Sequence, residues 1–117
     1  MTRDRRNVPN IQEHLSTAVV LLDEHGRVSY LNPAAEILFA TSARMACRQP
    51  LRQLTPGADG LGDALRQAVL SGAAYTERER RLLVNGQLMT VDCTLTPLAG
   101  DSVLLELNHL DRQLRIS

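Results

Sequence analysis

The stretch Tyr75-Thr76-Glu77-Arg78-Glu79-Arg80-Arg81-Leu82-Leu83-Val84-Asn85-Gly86-Gln87-Leu88-Met89-Thr90-Val91-Asp92-Cys93-Thr94-Leu95 decides the fold. Asn85-Gly86 is the strongest short hairpin signal, because both residues accept the positive φ of a tight turn matched to strand twist. The spacing therefore predicts strands over 75–84 and 87–95. Met89, Val91, Cys93 and Leu95 alternate with Leu88, Thr90, Asp92 and Thr94, so one face is buried and the other wet. Gly100-Asp101 makes the next turn, and Ser102 to Leu107 reads as a further strand with Val103, Leu105 and Leu107 on one side. Three strands form a meander.

Towards the N-terminus, Ala18 to Asp23 is a β-branched-rich apolar run, and Val28 to Leu31 follows a turn at Gly26, which gives a second antiparallel hairpin. Asn32-Pro33 ends that strand and starts a helix over Ala34 to Ala40, since Asn caps well and proline at the first helical position sacrifices no needed N–H. From Ala43 to Pro56 the chain reads as one or two helical turns with loops, broken by Pro50 and Pro56. Leu61, Leu65, Ala68 and Val69 then share one helical face between Asp59 and a stop at Gly72.

At the ends, residues 1–9 read as a flexible lead-in. Asn10 and Glu13 form a capping box for a short helix with Ile11 and Leu15 on one face. Leu110 and Leu114, with Arg112, Gln113 and Arg115, look like the first turns of an amphipathic helix. Such a helix either continues into another domain or packs on its own. The expected class is α+β, with five antiparallel strands, helices inserted between strands 2 and 3, and flanking terminal helices.

A chain of 117 residues with 44% apolar content fits one domain. Lys plus Arg and Asp plus Glu balance at 13 each, so nothing supplies the basic field that nucleic acid requires. The charged N-terminus leads into no apolar signal region, and the run from Ala18 to Leu22 is too short to span a bilayer, which points to the cytoplasm. Cys47 and Cys93 are lone thiols outside any zinc or disulfide pattern.

Chemistry-bearing patterns are sparse. His14, His25 and His109 have no ligand-spaced partners and read as solvated or locally bonded, and the serines lack a nucleophile elbow, so neither a metal nor a catalytic residue is expected. Gly57-Ala58-Asp59-Gly60-Leu61-Gly62 lacks phosphate-loop spacing and reads as a loop entering a helix. The alternating charges of Glu77 to Arg81 read as a solvated, aggregation-resistant edge. Aromatics make up only 3% of the chain, leaving few stacking partners for heme or flavin, so no cofactor is expected. The space between sheet and helices, with Leu22, Tyr30, Phe39, Leu65, Val69, Val91 and Cys93 as candidate lining, is read as filled core or a small apolar pocket.

The order of elements resembles that of PAS domains. Leu21-Leu22-Asp23, Gly26-Arg27-Val28 and Tyr30-Leu31-Asn32-Pro33-Ala34-Ala35-Glu36 with Leu38 are similar to the PAS signature, in which an asparagine, here Asn32 before Pro33, caps a helix of small residues. Adding Pro50-Leu51, Leu82 to Gly86, Leu104 to Leu107 and Asp111-Arg112-Gln113-Leu114-Arg115-Ile116-Ser117, residues 11–117 resemble the N-terminal sensor domain of the nitrogen-regulation histidine kinases of the NtrB family. The resemblance implies a PAS domain over 10–109 and a signalling helix starting at 110–117 that leads to a kinase core outside this chain. It also implies a cytoplasmic homodimer that acts on an NtrC-type response regulator and is controlled by a PII-type signal protein. The phosphorylated-histidine box and the ATP-binding glycine motifs are absent, so the expected role is regulatory, with Ile11, Leu15, Leu110 and Leu114 as candidate dimer and signal positions. A competing expectation is a PAS receptor that binds a small metabolite or cofactor directly.

Overall fold

Every strand-forming run pairs, and pairing fixes the architecture. The computed structural model describes residues 17–55 and 59–109. It contains β1 (Ala18–Leu22), β2 (Val28–Leu31), α1 (Pro33–Phe39), α2 (Ala43–Ala46), a 3-10 turn at Leu51–Gln53, α3 (Asp59–Ser71), β3 (Tyr75–Val84), β4 (Gln87–Pro97), a 3-10 turn at Ala99–Asp101 and β5 (Val103–His109). The sheet order is β2-β1-β5-β4-β3, antiparallel throughout. The first and last strands lie side by side at its centre, and the helices inserted between β2 and β3 cover one face.

Turn chemistry sets each reversal. Gly26 adopts φ +75 in the β1–β2 turn, where the Asp23 carboxylate accepts from the His25 and Arg27 N–H groups. Those backbone donors hold the Asp23 carboxyl below its ordinary range. At the β3–β4 tip Asn85 and Gly86 have φ +50 and +80, the pair of positive angles a two-residue hairpin turn demands. The expected hairpins and the Asp59-to-Gly72 helix are all present, and β4 and β5 run two residues beyond the expected ends because their ladder continues from Pro97↔Val103 to Val91↔His109.

The core is one cluster. Val20, Leu22, Val91, Cys93, Leu95, Leu105 and Leu107 point from the sheet towards Ala35 and Phe39 of α1, Ala46 of α2, and Leu61, Ala64 and Ala68 of α3. Small residues at Ala64 and Ala68 let α3 sit close against β3 and β4. This packing corrects the expected helix face. At about 100° per residue, Val69 stands about 105° from the mean direction of Leu61, Ala64 and Ala68, and it is 43% exposed. Leu65 lies at the stripe's margin, half-buried against the core.

Two irregularities in the sheet shift side-chain phase. Between Leu21 and Leu22 the register jumps from Tyr30 to Val28, so Ser29 is an extra residue on β2. Tyr30 therefore pairs with Leu21 on the outer face and is 48% exposed, which corrects its assignment to core or pocket. In β3, Glu77 pairs with Cys93 and Arg80 with Val91, so Arg78 and Glu79 together oppose Asp92. Without this bulge, period-two alternation from Tyr75 would bury Leu83; with it, Leu82 and Val84 are buried and Leu83 is 40% exposed.

The two sheet edges differ. Outside β2 the chain closes back through Val28 N–H to Gln49 O (2.9 Å), Arg48 N–H to Val28 O (2.7 Å) and an Arg27↔Pro50 bridge. β3 is the other edge, guarded by its bulge and charged side chains.

Candidate functional site

Asn32 joins three parts of the fold. Its Oδ1 accepts from the Ala35 N–H (2.9 Å), capping α1, and from the Val19 N–H (2.9 Å) of β1; its Nδ2 donates to Thr17 O (2.9 Å). Pro33 occupies the start of α1, where a missing N–H costs nothing. Thr17 Oγ1 in turn donates to Asn108 Oδ1 near the end of β5 (2.9 Å). Because Ala18 pairs with Leu107, the chain enters β1 and leaves β5 at the same end of the sheet, and hydrogen bonds link both positions to the first helix. Sequence reasoning found Asn32 as a cap; Thr17 and Asn108 carried no local signal, since 91 positions separate them.

The outer face of the sheet is open among the described residues and carries an apolar corner. Tyr30, Leu21 and Leu104 lie in one cross-strand row, with Val19 beside Leu21's strand position and Glu106 opposite it. Val19, Leu21 and Leu104 are half-buried. Ile11, Leu15, Leu110 and Leu114 lie outside the described residues, as does the lead-in at 1–9.

On the inner face Leu22, Val91 and Cys93 are fully buried, Phe39 is buried and Leu65 half-buried, so these five meet between sheet and helices, whereas Tyr30 and Val69 do not. Burial pushes the Cys93 thiol up to about 12, with the Glu77 carboxylate adding to the effect. Cys47, by contrast, is exposed.

The charged run of β3 is more than a solvated edge. Its bulge turns Arg80 to the inner side beside Glu77, where the Glu77 and Arg80 side chains are 23% and 27% exposed and ion-paired at 3.0 Å. Tyr75 O–H donates to the other Glu77 oxygen (3.1 Å), and that carboxylate raises the Tyr75 pKa. Arg80 Nη1 is spent on Glu77, while its buried Nε–H has no hydrogen-bond partner among the described residues. Glu79 sits in the left-handed region at φ +54, its N–H donating to Asp92 Oδ1 (2.8 Å). Residues Glu77 to Arg81 line an open concavity of about 520 Å³. Only the alternating charge was visible in sequence; the bulge that sorts those charges was not.

Among the described residues no group of three or more His, Cys, Asp or Glu is arranged to hold a metal ion, and no helix is long and apolar enough to cross a membrane.

A family model described as the PAS fold matches residues 6–105. The chain is 32% identical over 110 residues to the sensory histidine kinase/phosphatase NtrB of Vibrio alginolyticus, covering 92% of this chain and 31% of that protein. It is 30% identical over 107 residues to the NtrB of Salmonella typhimurium, with the same shares covered. The chain thus spans about a third of the length of these curated relatives. Among solved structures, the PAS domain of nitrogen regulation protein NR(II) from Vibrio parahaemolyticus superimposes with a TM-score of 0.69 at 28% identity, covering 87% of this chain and 97% of that one. The five-stranded antiparallel sheet with its inserted helices, the Asn32-capped first helix and the family match over 6–105 agree: the chain belongs to the PAS family, and its relatives within it are the sensor domains of NtrB histidine kinases.

Proposed function

We propose that this chain is the sensory and regulatory PAS domain of an NtrB-like two-component histidine kinase of the cytoplasm, and that it works by dimerising and by relaying its packing state to catalytic domains outside this chain. In this reading residues 1–9 are a lead-in, 10–109 the sensor domain and 110–117 the start of the signalling helix. The downstream core acts on an NtrC-type response regulator under control of a PII-type protein, and no residue here is catalytic.

The observation that supports a relay is the shared exit. Thr17 and Asn108 are hydrogen-bonded to each other, and Thr17 is bonded to the Asn32 cap, so a shift of the helical layer reaches both chain ends together. The apolar corner at Tyr30, Leu21, Leu104 and Val19 lies on the face that the helices leave uncovered. Ile11 and Leu15, two residues upstream of Thr17 at the nearer end, are the positions to meet their counterparts in a second subunit.

Light scattering across a concentration series tests this. The expected result is a dimer that Leu15→Glu or Leu114→Glu dissociates, with circular dichroism unchanged. A monomer at every concentration removes dimerisation from this domain.

A further inference from the structure

The chain carries no net charge, yet its charges are unevenly placed. Between Arg27 and Thr55 stand four arginines, Arg27, Arg44, Arg48 and Arg52, against one carboxylate, Glu36, and that carboxylate is spent on the Ala43 N–H (2.7 Å), where it ties α1 to α2. The loop after α2 folds back on β2. Arg48 N–H donates to Val28 O (2.7 Å), Val28 N–H to Gln49 O (2.9 Å) and Arg27 Nη1 to Arg48 O (2.9 Å), while Arg27 bridges to Pro50, just before Arg52. The four arginines are thereby held on one surface at the β2 edge. All are exposed, and none is ion-paired among the described residues. The neighbouring acids are engaged elsewhere: Asp23 accepts from two backbone N–H groups, and Glu24 lies beside His25 (3.8 Å).

The backbone that presents this patch is fixed at a cost. Arg48 sits in the left-handed region at φ +70, where glycine would be at ease, and both its N–H and its carbonyl are hydrogen-bonded. Apolar side chains stand among the charges: Met45 is 71% and Ile37 69% exposed, both close to the Glu36–Ala43 link. Arginine and methionine are enriched at protein interfaces, and a guanidinium fork matches a carboxylate in shape and charge. We infer that this surface docks an acidic, amphipathic segment of a partner protein, whose carboxylates take the forks of Arg44, Arg48 and Arg52 and whose apolar side chains cover Met45 and Ile37. A nucleic acid or an anionic membrane calls for a wider basic field than four arginines supply. Docking here bears on β2 through Val28, whose carbonyl holds Arg48 and whose side chain is buried in the core. The outer face of the sheet stays free for a second subunit.

The test is a titration of the isotopically labelled 117-residue chain with a short synthetic peptide of alternating Glu and Leu pairs, read by amide resonances. The same peptide with Gln in place of Glu, and phosphatidylglycerol vesicles, are the controls. The expected result is saturable shifts centred on Arg27, Val28 and residues 44–52, with a dissociation constant of about 0.01–1 mM that rises with added salt. Arg44→Glu combined with Arg52→Glu should weaken binding by about tenfold or more, and Met45→Ser by about threefold. Arg66→Glu, on the exposed side of α3, should leave it unchanged. The Gln peptide binding as tightly, Arg66→Glu weakening binding as much as the paired change, or shifts that grow without saturation would each overturn the site. Vesicles that shift these residues where the peptide does not would overturn it in favour of a membrane surface. Should the paired variant not fold, the parent's shift map and Met45→Ser decide, and shifts centred away from these residues refute the assignment.

Discussion

Asn32 and Arg80 each carry a planar, many-handed polar group into a half-buried position, yet their surroundings treat them in opposite ways. Asn32 accepts two backbone N–H groups and donates to a carbonyl, all at 2.9 Å, and its bonds join α1, β1 and, through Thr17, β5. Among the described residues Arg80 has one partner, leaves a buried Nε–H unspent, and sits beside a strained residue. A saturated group of this kind specifies one arrangement, because every departure strands several backbone atoms. An unsaturated one leaves the arrangement answerable to something else. The contrast separates the part of the domain that fixes geometry from a part that tolerates an unspent donor and a strained backbone.

Removing the saturated hub should have the largest effect. Asn32→Ala deletes an N-cap and two further hydrogen bonds to part-buried backbone, and should lower the unfolding free energy by about 2–3 kcal/mol, read from urea denaturation. Asn32→Asp keeps both accepting roles but sets a carboxylate against Thr17 O, and should cost about half as much. If Asp costs as much as Ala, the Nδ2–Thr17 link is what matters, and the hub is a strand clasp more than a helix cap.

Cys93 lies between the two regions in character, buried like the hub yet opposite Glu77 of the bulge. Its folded pKa, at about 12, is raised above the ordinary value of 9.0. The unfolded thiol therefore ionises first as pH rises. The stabilisation is fully present below pH 9.0 and is lost progressively towards about 12. Relative to Cys93→Val, the parent should show an added slope of about −1 kcal/mol per pH unit in that window. At pH 8 a thiol reagent should titrate exposed Cys47 quickly and Cys93 about a hundredfold more slowly or less. Two equally fast thiols would show that the sheet opens readily along β3.

The same division explains which features could be read from residues alone. Turns announce themselves chemically, so Gly26, Asn32-Pro33, Gly72 and Asn85-Gly86 placed nearly every element. Alternation in Met89 to Leu95 gave β4 its buried face. The bulges left no such mark. Neither Ser29 nor Arg78-Glu79 contains glycine, and a single extra residue reverses the phase of everything after it, which sent Tyr30 outward and Arg80 inward, beside Glu77. Val69 misled for a related reason: four apolar residues fit one stripe, but alanines at 64 and 68 drew the helix axis round so that Val69 faces water. The Thr17–Asn108 bond depends on β1 pairing with β5, a contact between the chain's two ends.

The smallest expected effect probes whether the strain at Glu79 serves the bulge or merely accompanies it. In the left-handed region a side chain bearing Cβ is disfavoured by about 1–2 kcal/mol, whereas glycine is at ease there. Glycine also frees the unfolded chain, which returns about 0.5–1 kcal/mol of that gain. Glu79→Gly should thus stabilise the domain by roughly 0.5–1 kcal/mol, because Glu79 is exposed and its backbone N–H still reaches Asp92. Arg80 should keep its inward pairing with Glu77, and Glu77 its bond from Tyr75 O–H, so the Tyr75 ring resonances should not move. Stabilisation with those resonances unchanged would mean that the phase shift, not the strain, sets the Tyr75–Glu77–Arg80 arrangement. Stabilisation with those resonances displaced would mean that the left-handed residue holds the arrangement in place, and that this region gives up stability to keep it where the Asn32 hub does not.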